Sequence, residues 1–270
     1  MGKASNLVLR VVSAVVLLPL VIGLVLWREP LGFAVFSLVA AAIALKEFAN
    51  MSLRGRSAVE RAFMVGTGSG LAVALYAWPA LGLPAVIAAT LVIMASQVFF
   101  ADDIHGAGQR AGVSLAGIIY LAPTMAALPI LQRDVADGSL WVLLAMGATF
   151  CCDTGAYFVG RAFGRRKLAP KISPGKTWEG VAGGVLGALV FCIVARMTFF
   201  TALEVRDVGI VGIGASVLGP IGDLVESLLK RSAGVKDSGQ LIPGHGGMLD
   251  RVDALLFVGA FVFLYAGHLR

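Results

Sequence analysis

Asp223, Glu226, Ser227 and Lys230 are offset by three, four and seven positions, which sets them within an arc of roughly 100° on one helix face. Two acids, a hydroxyl and an ammonium make a polar stripe in an otherwise apolar run. A charge near mid-membrane costs about 2.5–3.5 kcal/mol even on the lenient insertion scale, so such a stripe faces a cavity or a bound ion. The plainer alternative is an Asp–Lys pair that locks helices together. Beyond the stripe come Arg231, Lys236, the glycine-flanked His245, and then Asp250, Arg251 and Asp253. Asp250 and Asp253 are an i, i+3 pair on one helix face, and their carboxylates repel unless a cation sits between them. Oxygen-only ligands of this kind suit magnesium, which takes one or two carboxylates and leaves its other positions to water and phosphate.

A second unusual segment runs from Arg161 to Gly180 and carries Arg161, Arg165, Arg166, Lys167, Lys171 and Lys176 ahead of Glu179. Gly175, Lys176 and Thr177 sit just before a helix, where backbone N–H groups and the helix dipole favour phosphate. It is not a Walker A loop, because Pro170 stands where that loop needs glycine. Read blandly, the basic run is a topology signal in contact with lipid headgroups. Asp153, with Tyr157 and Arg161 following at one-turn intervals, is placed either to join the same polar cavity or to make a helix-packing hydrogen bond to Thr154 or a neighbour. His105 and His268 have no partners at ligand spacing.

These residues must be positioned by membrane helices. Of the 270 residues, 58% are hydrophobic and 14% charged, against about 25% charged in ordinary soluble domains, so a soluble globule is excluded. Long apolar runs fall at 8–27, 31–50, 63–78, 83–101, 112–131, 139–160, 180–200, 208–230 and 252–268. The fold class expected is all-α, a polytopic membrane protein of about nine spans. The first run lacks a small-residue cleavage pattern and reads as a membrane helix rather than a signal peptide. With the N-terminus in the cytoplasm and the C-terminus outside, all but Arg28, Arg133, Arg196, Arg206 and Arg270 of the 22 lysines and arginines fall on the cytoplasmic side. The net charge of +6 is therefore mostly positive-inside bias and gives no reason to expect a nucleic-acid partner. Residues 1–138 form an N-terminal group of about five spans. Residues 139–270 form a C-terminal catalytic region of about four, with cytoplasmic loops at 161–179 and 231–250. Cys151, Cys152 and Cys192 lie in apolar runs with no metal or disulfide spacing and read as packing residues.

Ser227, Lys230, Arg231, Lys236, Asp237, Gly239, Ile242, Pro243, His245, Gly246, Gly247, Met248, Asp250, Arg251 and Asp253 together resemble the signature of the CDP-diacylglycerol synthases, or phosphatidate cytidylyltransferases. Asp153–Tyr157 and the run Ser173–Gly180 also look like that family, so the resemblance covers the C-terminal half. It implies condensation of CTP with phosphatidic acid to CDP-diacylglycerol and pyrophosphate, a magnesium site with a second cation such as K+, and a homodimer. On that reading Asp223 and Asp250 are the first choices as metal ligands, Asp253 is next and Asp153 is an outer candidate. Lys230, Arg231, Lys236 and Arg251 hold the triphosphate or pyrophosphate. Arg166 and Lys176 hold nucleotide or lipid phosphate, and Ser227 and His245 orient phosphates or water. The protein is expected in the inner (cytoplasmic) membrane, multi-pass, in contact with the bilayer, its active site facing the cytoplasm. Two other readings compete: a CTP-dependent polyprenol- or phytol-type lipid kinase, and an ion-coupled transporter whose intramembrane Asp and Lys pass an ion. A CDP-alcohol phosphotransferase is disfavoured because no Asp-Gly-x2-Ala-Arg run is present.

Overall fold

The structure, a computed structural model, describes residues 17–100, 104–239 and 246–270. Among these, the helices are α1 (Leu17–Leu26), α2 (Leu31–Ser52), α3 (Ala58–Ala77), α4 (Gly82–Phe99), α5 (Ala107–Asp134), α6 (Gly138–Phe163), α7 (Trp178–Met197), α8 (Val205–Ser232) and α9 (Leu249–Leu264). A π-helical turn, Tyr265–Leu269, extends α9. The only strands among the described residues are β1 (Lys167–Ala169) and β2 (Ser173–Thr177), an antiparallel hairpin pairing Lys167 with Thr177 and Ala169 with Ser173. The protein is an all-α, multi-pass membrane protein.

Among the described residues, seven segments are long and apolar enough to cross a membrane: α2, Pro79–Phe99, α5, α6, α7, α8 and Leu249–Leu269. The expected run at 63–78 became α3, 20 residues long, which is not among the seven. Glu60, Arg61 and several Gly, Ser and Thr residues dilute its apolar character. The start of the 8–27 run lies outside the described residues. Most helices outrun the apolar runs that announced them, because capping residues are polar and start a helix beyond the hydrocarbon stretch. Ser57 caps α3 by accepting from Glu60 N at 3.1 Å. Glu204 and Asp207 cap α8 reciprocally.

The chain divides into two compact units. One holds the N-terminal part to Ile130 together with Asp237–Leu249, and the other holds Leu131–Lys236 with Asp250–Arg270. Within the first, α2 packs on α3 and α3 on α4. A side chain at Gly117 would strike Phe48 and Met64, so only glycine lets α5 lie this close.

Within the second unit, α6 and α7 form the tightest helix pair, and α8 packs on both. The α6–α7 seam is built on glycine. A Cβ at Gly155 would collide with the Gly183 carbonyl, and one at Gly187 with the Cys151 carbonyl. Lipid tails give helices no hydrophobic reason to associate, so close backbone approach through small residues supplies the packing energy instead. Trp141 is fully buried and meets Phe200 edge-on at 5.1 Å. The three cysteines are free, and Cys152 and Cys192 are buried.

Candidate active site

The α6–α7 seam does more than hold the unit together. It brings the acid on α6, Asp153, within electrostatic reach of Lys176, the residue two before α7. Thr177 ends β2 and caps α7, its Oγ1 accepting from Gly180 N at 3.1 Å. Glu179, in the first turn of α7, accepts from the backbone N–H of Arg165 at 3.0 Å and of Arg166 at 3.2 Å. Trp178 N donates to Arg166 O at 3.0 Å. The basic segment is thus an ordered hairpin pinned at its base, and Lys176 leaves it from a fixed strand.

Lys176 Nζ lies 2.8 Å from Asp223 Oδ2 and donates to Pro220 O at 3.1 Å. Ser227 Oγ, one turn beyond Asp223 on α8, donates to Asp223 Oδ1 at 3.2 Å. Asp253 on α9 feels the charges of both Asp223 and Asp153, and Lys176 acts on all three acids. Asp253 also accepts from Ala254 N at 2.7 Å. Three helices therefore contribute one carboxylate each within electrostatic range of Lys176, which is in contact with Asp223.

A second group lies further along the polar face of α8. Lys230 Nζ is 2.5 Å from Asp250 Oδ1 and also pairs with Glu226. Glu226 is fully buried, and the Lys230 and Asp250 side chains are each 12% exposed. Taking one positive and two negative groups out of water is costly, so this triad holds only because each charge has a partner.

The sequence-derived residues therefore fall into distinct positions. Asp223, Asp253 and Asp153 come together with Lys176. Asp250, grouped with Asp223 as a first choice, is engaged by Lys230. Ser227 touches Asp223 as a supporting group would. Arg231 turns back to donate to Val235 O at 3.1 Å, and Lys236, Arg166 and Arg251 are exposed. His245 lies outside the described residues. The alternative of an Asp153–Thr154 hydrogen bond is not realised, because Thr154 Oγ1 donates to Phe150 O at 2.7 Å. Arg161 donates to Tyr157 OH at 2.8 Å, an exposed pair.

Chemically, the Asp153–Asp223–Asp253 group offers hard oxygen donors with more negative charge than Lys176 neutralises. Among the described residues, no three His, Cys, Asp or Glu groups are close enough to cage a metal alone. That is compatible with magnesium, whose remaining positions go to water and substrate phosphate. The donor set is of the hard-oxygen kind that suits such a cation.

Two features escaped sequence reasoning. Glu226 was visible in the stripe, but its burial between Lys230 and the start of α9 was not. The hairpin was read as loop because its strands are short and β2 contains Pro174 and Gly175.

Comparison with known proteins bears directly on this geometry. Residues 8–269 match the model of the cytidylyltransferase family. The chain is similar to a protein named phosphatidate cytidylyltransferase from Brucella suis, 32% identical over 97% of this chain and 93% of the relative. A protein of the same name from Pseudomonas aeruginosa is 34% identical over 91% of this chain and 92% of its own length. A third, from Haemophilus influenzae, is 47% identical over 46% of this chain and 44% of the relative. With the match running nearly end to end, and across both acidic groups, the chain belongs to the cytidylyltransferase family.

Proposed function

We propose that this chain is a phosphatidate cytidylyltransferase, a nucleotidyltransferase that condenses CTP with phosphatidic acid to give CDP-diacylglycerol and pyrophosphate for phospholipid synthesis. The observation that carries this reading is the Lys176–Asp223 ion pair with Asp153 and Asp253 within its electrostatic range, in a multi-pass membrane protein of this family. A phosphate oxygen of the lipid attacks the α-phosphorus of CTP. The bond from that phosphorus to the oxygen bridging to the β-phosphate breaks, and the electron pair leaves with pyrophosphate. The lipid phosphate monoester is already anionic near neutral pH, so little general-base help is needed. The task is to bring two anions together, which is positioning and charge neutralisation.

Asp223 and Asp253 would hold Mg2+, which would supply charge neutralisation at the phosphates. Asp153 would serve as an outer acid beside it, and the excess of carboxylates would suit a second cation such as K+. Lys176, which pairs with Asp223 at 2.8 Å, would also be placed to hold a substrate phosphate, with Arg166 on the same hairpin. Lys230, Arg231, Lys236 and Arg251 receive the triphosphate and the departing pyrophosphate, and Asp250 holds Lys230 in place. Ser227 and His245 orient phosphates and water. Catalysis belongs to residues 139–270, and residues 1–138 supply membrane helices.

The site faces the cytoplasm from the inner membrane, in a nine-span topology with the N-terminus inside, and the protein works as a homodimer. The positive-inside sorting of lysine and arginine supports that orientation. The test is detergent-purified protein given CTP labelled in the cytidine, with and without phosphatidic acid and magnesium. The expected result is label in a lipid product and release of pyrophosphate, dependent on both additions. Release of CDP with phosphorylation of a lipid alcohol would make the chain a kinase, and ion flux in vesicles without nucleotide turnover would make it a transporter.

A further inference from the structure

Glu47 is the one acid of α2, near its C-terminal end beside Lys46, and it is 8% exposed. Its carboxylate is not idle. Oε1 accepts from Met248 N at 2.9 Å, and Oε2 accepts from Leu249 N at 2.9 Å and from Ser238 Oγ at 3.2 Å. Met248 and Leu249 open α9, where the first N–H groups of a helix have no partners of their own and the dipole favours negative charge. Glu47 is thus a cap supplied from about two hundred residues away. It also ties Ser238 to the same carboxylate, so both ends of the segment Ser238–Leu249 are held at one point.

The glycines of the segment fit the same purpose. A Cβ at Gly239 or at Gly247 would run into the Glu47 carboxyl group, so both positions must be bare for the side chain to reach the amides. Immediately after Leu249, on the first turns of α9, come Asp250 and Asp253. Helix geometry leaves little freedom between residues 249 and 253, so whatever fixes the first N–H groups of α9 also fixes the height and rotation of those two acids.

We infer that Glu47 is a positioning residue for cytidylyl transfer: by capping α9 it sets where Asp250 and Asp253 stand. This rests on the proposed reaction, and the experiment separates the two. Full-length protein in detergent is compared as wild type, Glu47→Gln and Ser238→Ala. Hydrogen exchange is read at Met248 and Leu249, alongside kcat, the KM for CTP and the thermal midpoint. Losing a charged acceptor should raise exchange at both amides and lower kcat about tenfold or more in Glu47→Gln, with the KM for CTP within about twofold. Ser238→Ala, which removes one of the three donors and keeps the cap, should show a smaller shift in the same direction, and it serves if Glu47→Gln fails to fold. Unchanged exchange at Met248 and Leu249 overturns the clamp. A kcat that falls only in proportion to folded protein, with KM and kcat per folded molecule unchanged, overturns the positioning role. Absence of turnover by the wild type overturns the proposed reaction instead, and the exchange measurement still stands by itself.

Discussion

The two ends of α8 each carry a buried or half-buried aspartate, and the chain treats them in opposite ways. Near the start, Asp207 has no exposed surface and is surrounded by donors. Tyr265 OH donates to it at 2.6 Å and Glu204 N at 2.9 Å, while Arg270 Nη2 lies 3.2 Å away and Arg206 4.0 Å. About 24 Å further along the helix axis, Asp223 is 38% exposed and meets one ammonium while facing Asp153 and Asp253. Residue type and helix are the same, so the difference lies in charge balance. A carboxylate whose donors all come from the chain serves the fold. One left with an excess of like charge is completed by something the chain does not supply.

The largest expected effect tests that distinction at the open end. Asp223→Asn removes the charge and keeps the shape, so magnesium-dependent turnover should fall by about two to three orders of magnitude, roughly 3–4 kcal/mol of transition-state stabilisation. The thermal midpoint should hold or rise, since one of three mutually repelling carboxylates is gone. A variant keeping more than a tenth of wild-type turnover would erase the contrast between the two ends. The mirror experiment, Asp207→Asn, leaves a buried side chain short of charge-assisted bonds and should cost about 2 kcal/mol of stability. Its kcat and KM, corrected for folded protein, should match wild type.

How far the sequence went follows from the range of each interaction. The polar stripe on α8 was legible because Asp223, Glu226, Ser227 and Lys230 are set by local helical spacing, and, among the described residues, seven apolar runs returned as helices long and apolar enough to cross a membrane because length and composition decide that. The partners were not legible. Lys176 and Asp223 are 47 positions apart in the chain, and nothing local to either says they meet. Glu47 was invisible for a stronger reason: beside Lys46 at the end of α2 it looks like an ordinary charge at a helix end until its oxygens are seen to serve backbone amides, which carry no sequence signature. The glycines of the α6–α7 seam were present in the sequence, but a small-residue interface has meaning only once its partner helix is known. Asp250 and Asp253 read as one pair by spacing, yet tertiary contacts send one to Lys230 and the other towards Asp223.

Smaller changes sharpen the picture of the open end. Lys176→Ala frees Asp223 and removes a cation from the phosphate side, so the KM for CTP or for phosphatidic acid should rise about tenfold, near 1.4 kcal/mol. Steady-state titration of each substrate identifies which phosphate it serves. No change in either constant would return the hairpin to topology signalling.

Ser227→Ala is the finest probe. The hydroxyl is 9% exposed and donates a single 3.2 Å bond to Asp223 Oδ1. It touches neither Lys176 nor Lys230 in any recorded bond, so its removal should change how Asp223 is oriented without altering the local charge. A neutral donor to a charged acceptor contributes about 1 kcal/mol, which corresponds to a rise of roughly threefold to fivefold in the magnesium concentration at half-maximal rate. At saturating magnesium kcat should stay within about twofold, because Asp223 keeps its charge and the cation can still bind. Should kcat fall at saturating magnesium while the half-maximal concentration stays put, Ser227 would be acting on substrate directly rather than through the Asp223 carboxylate.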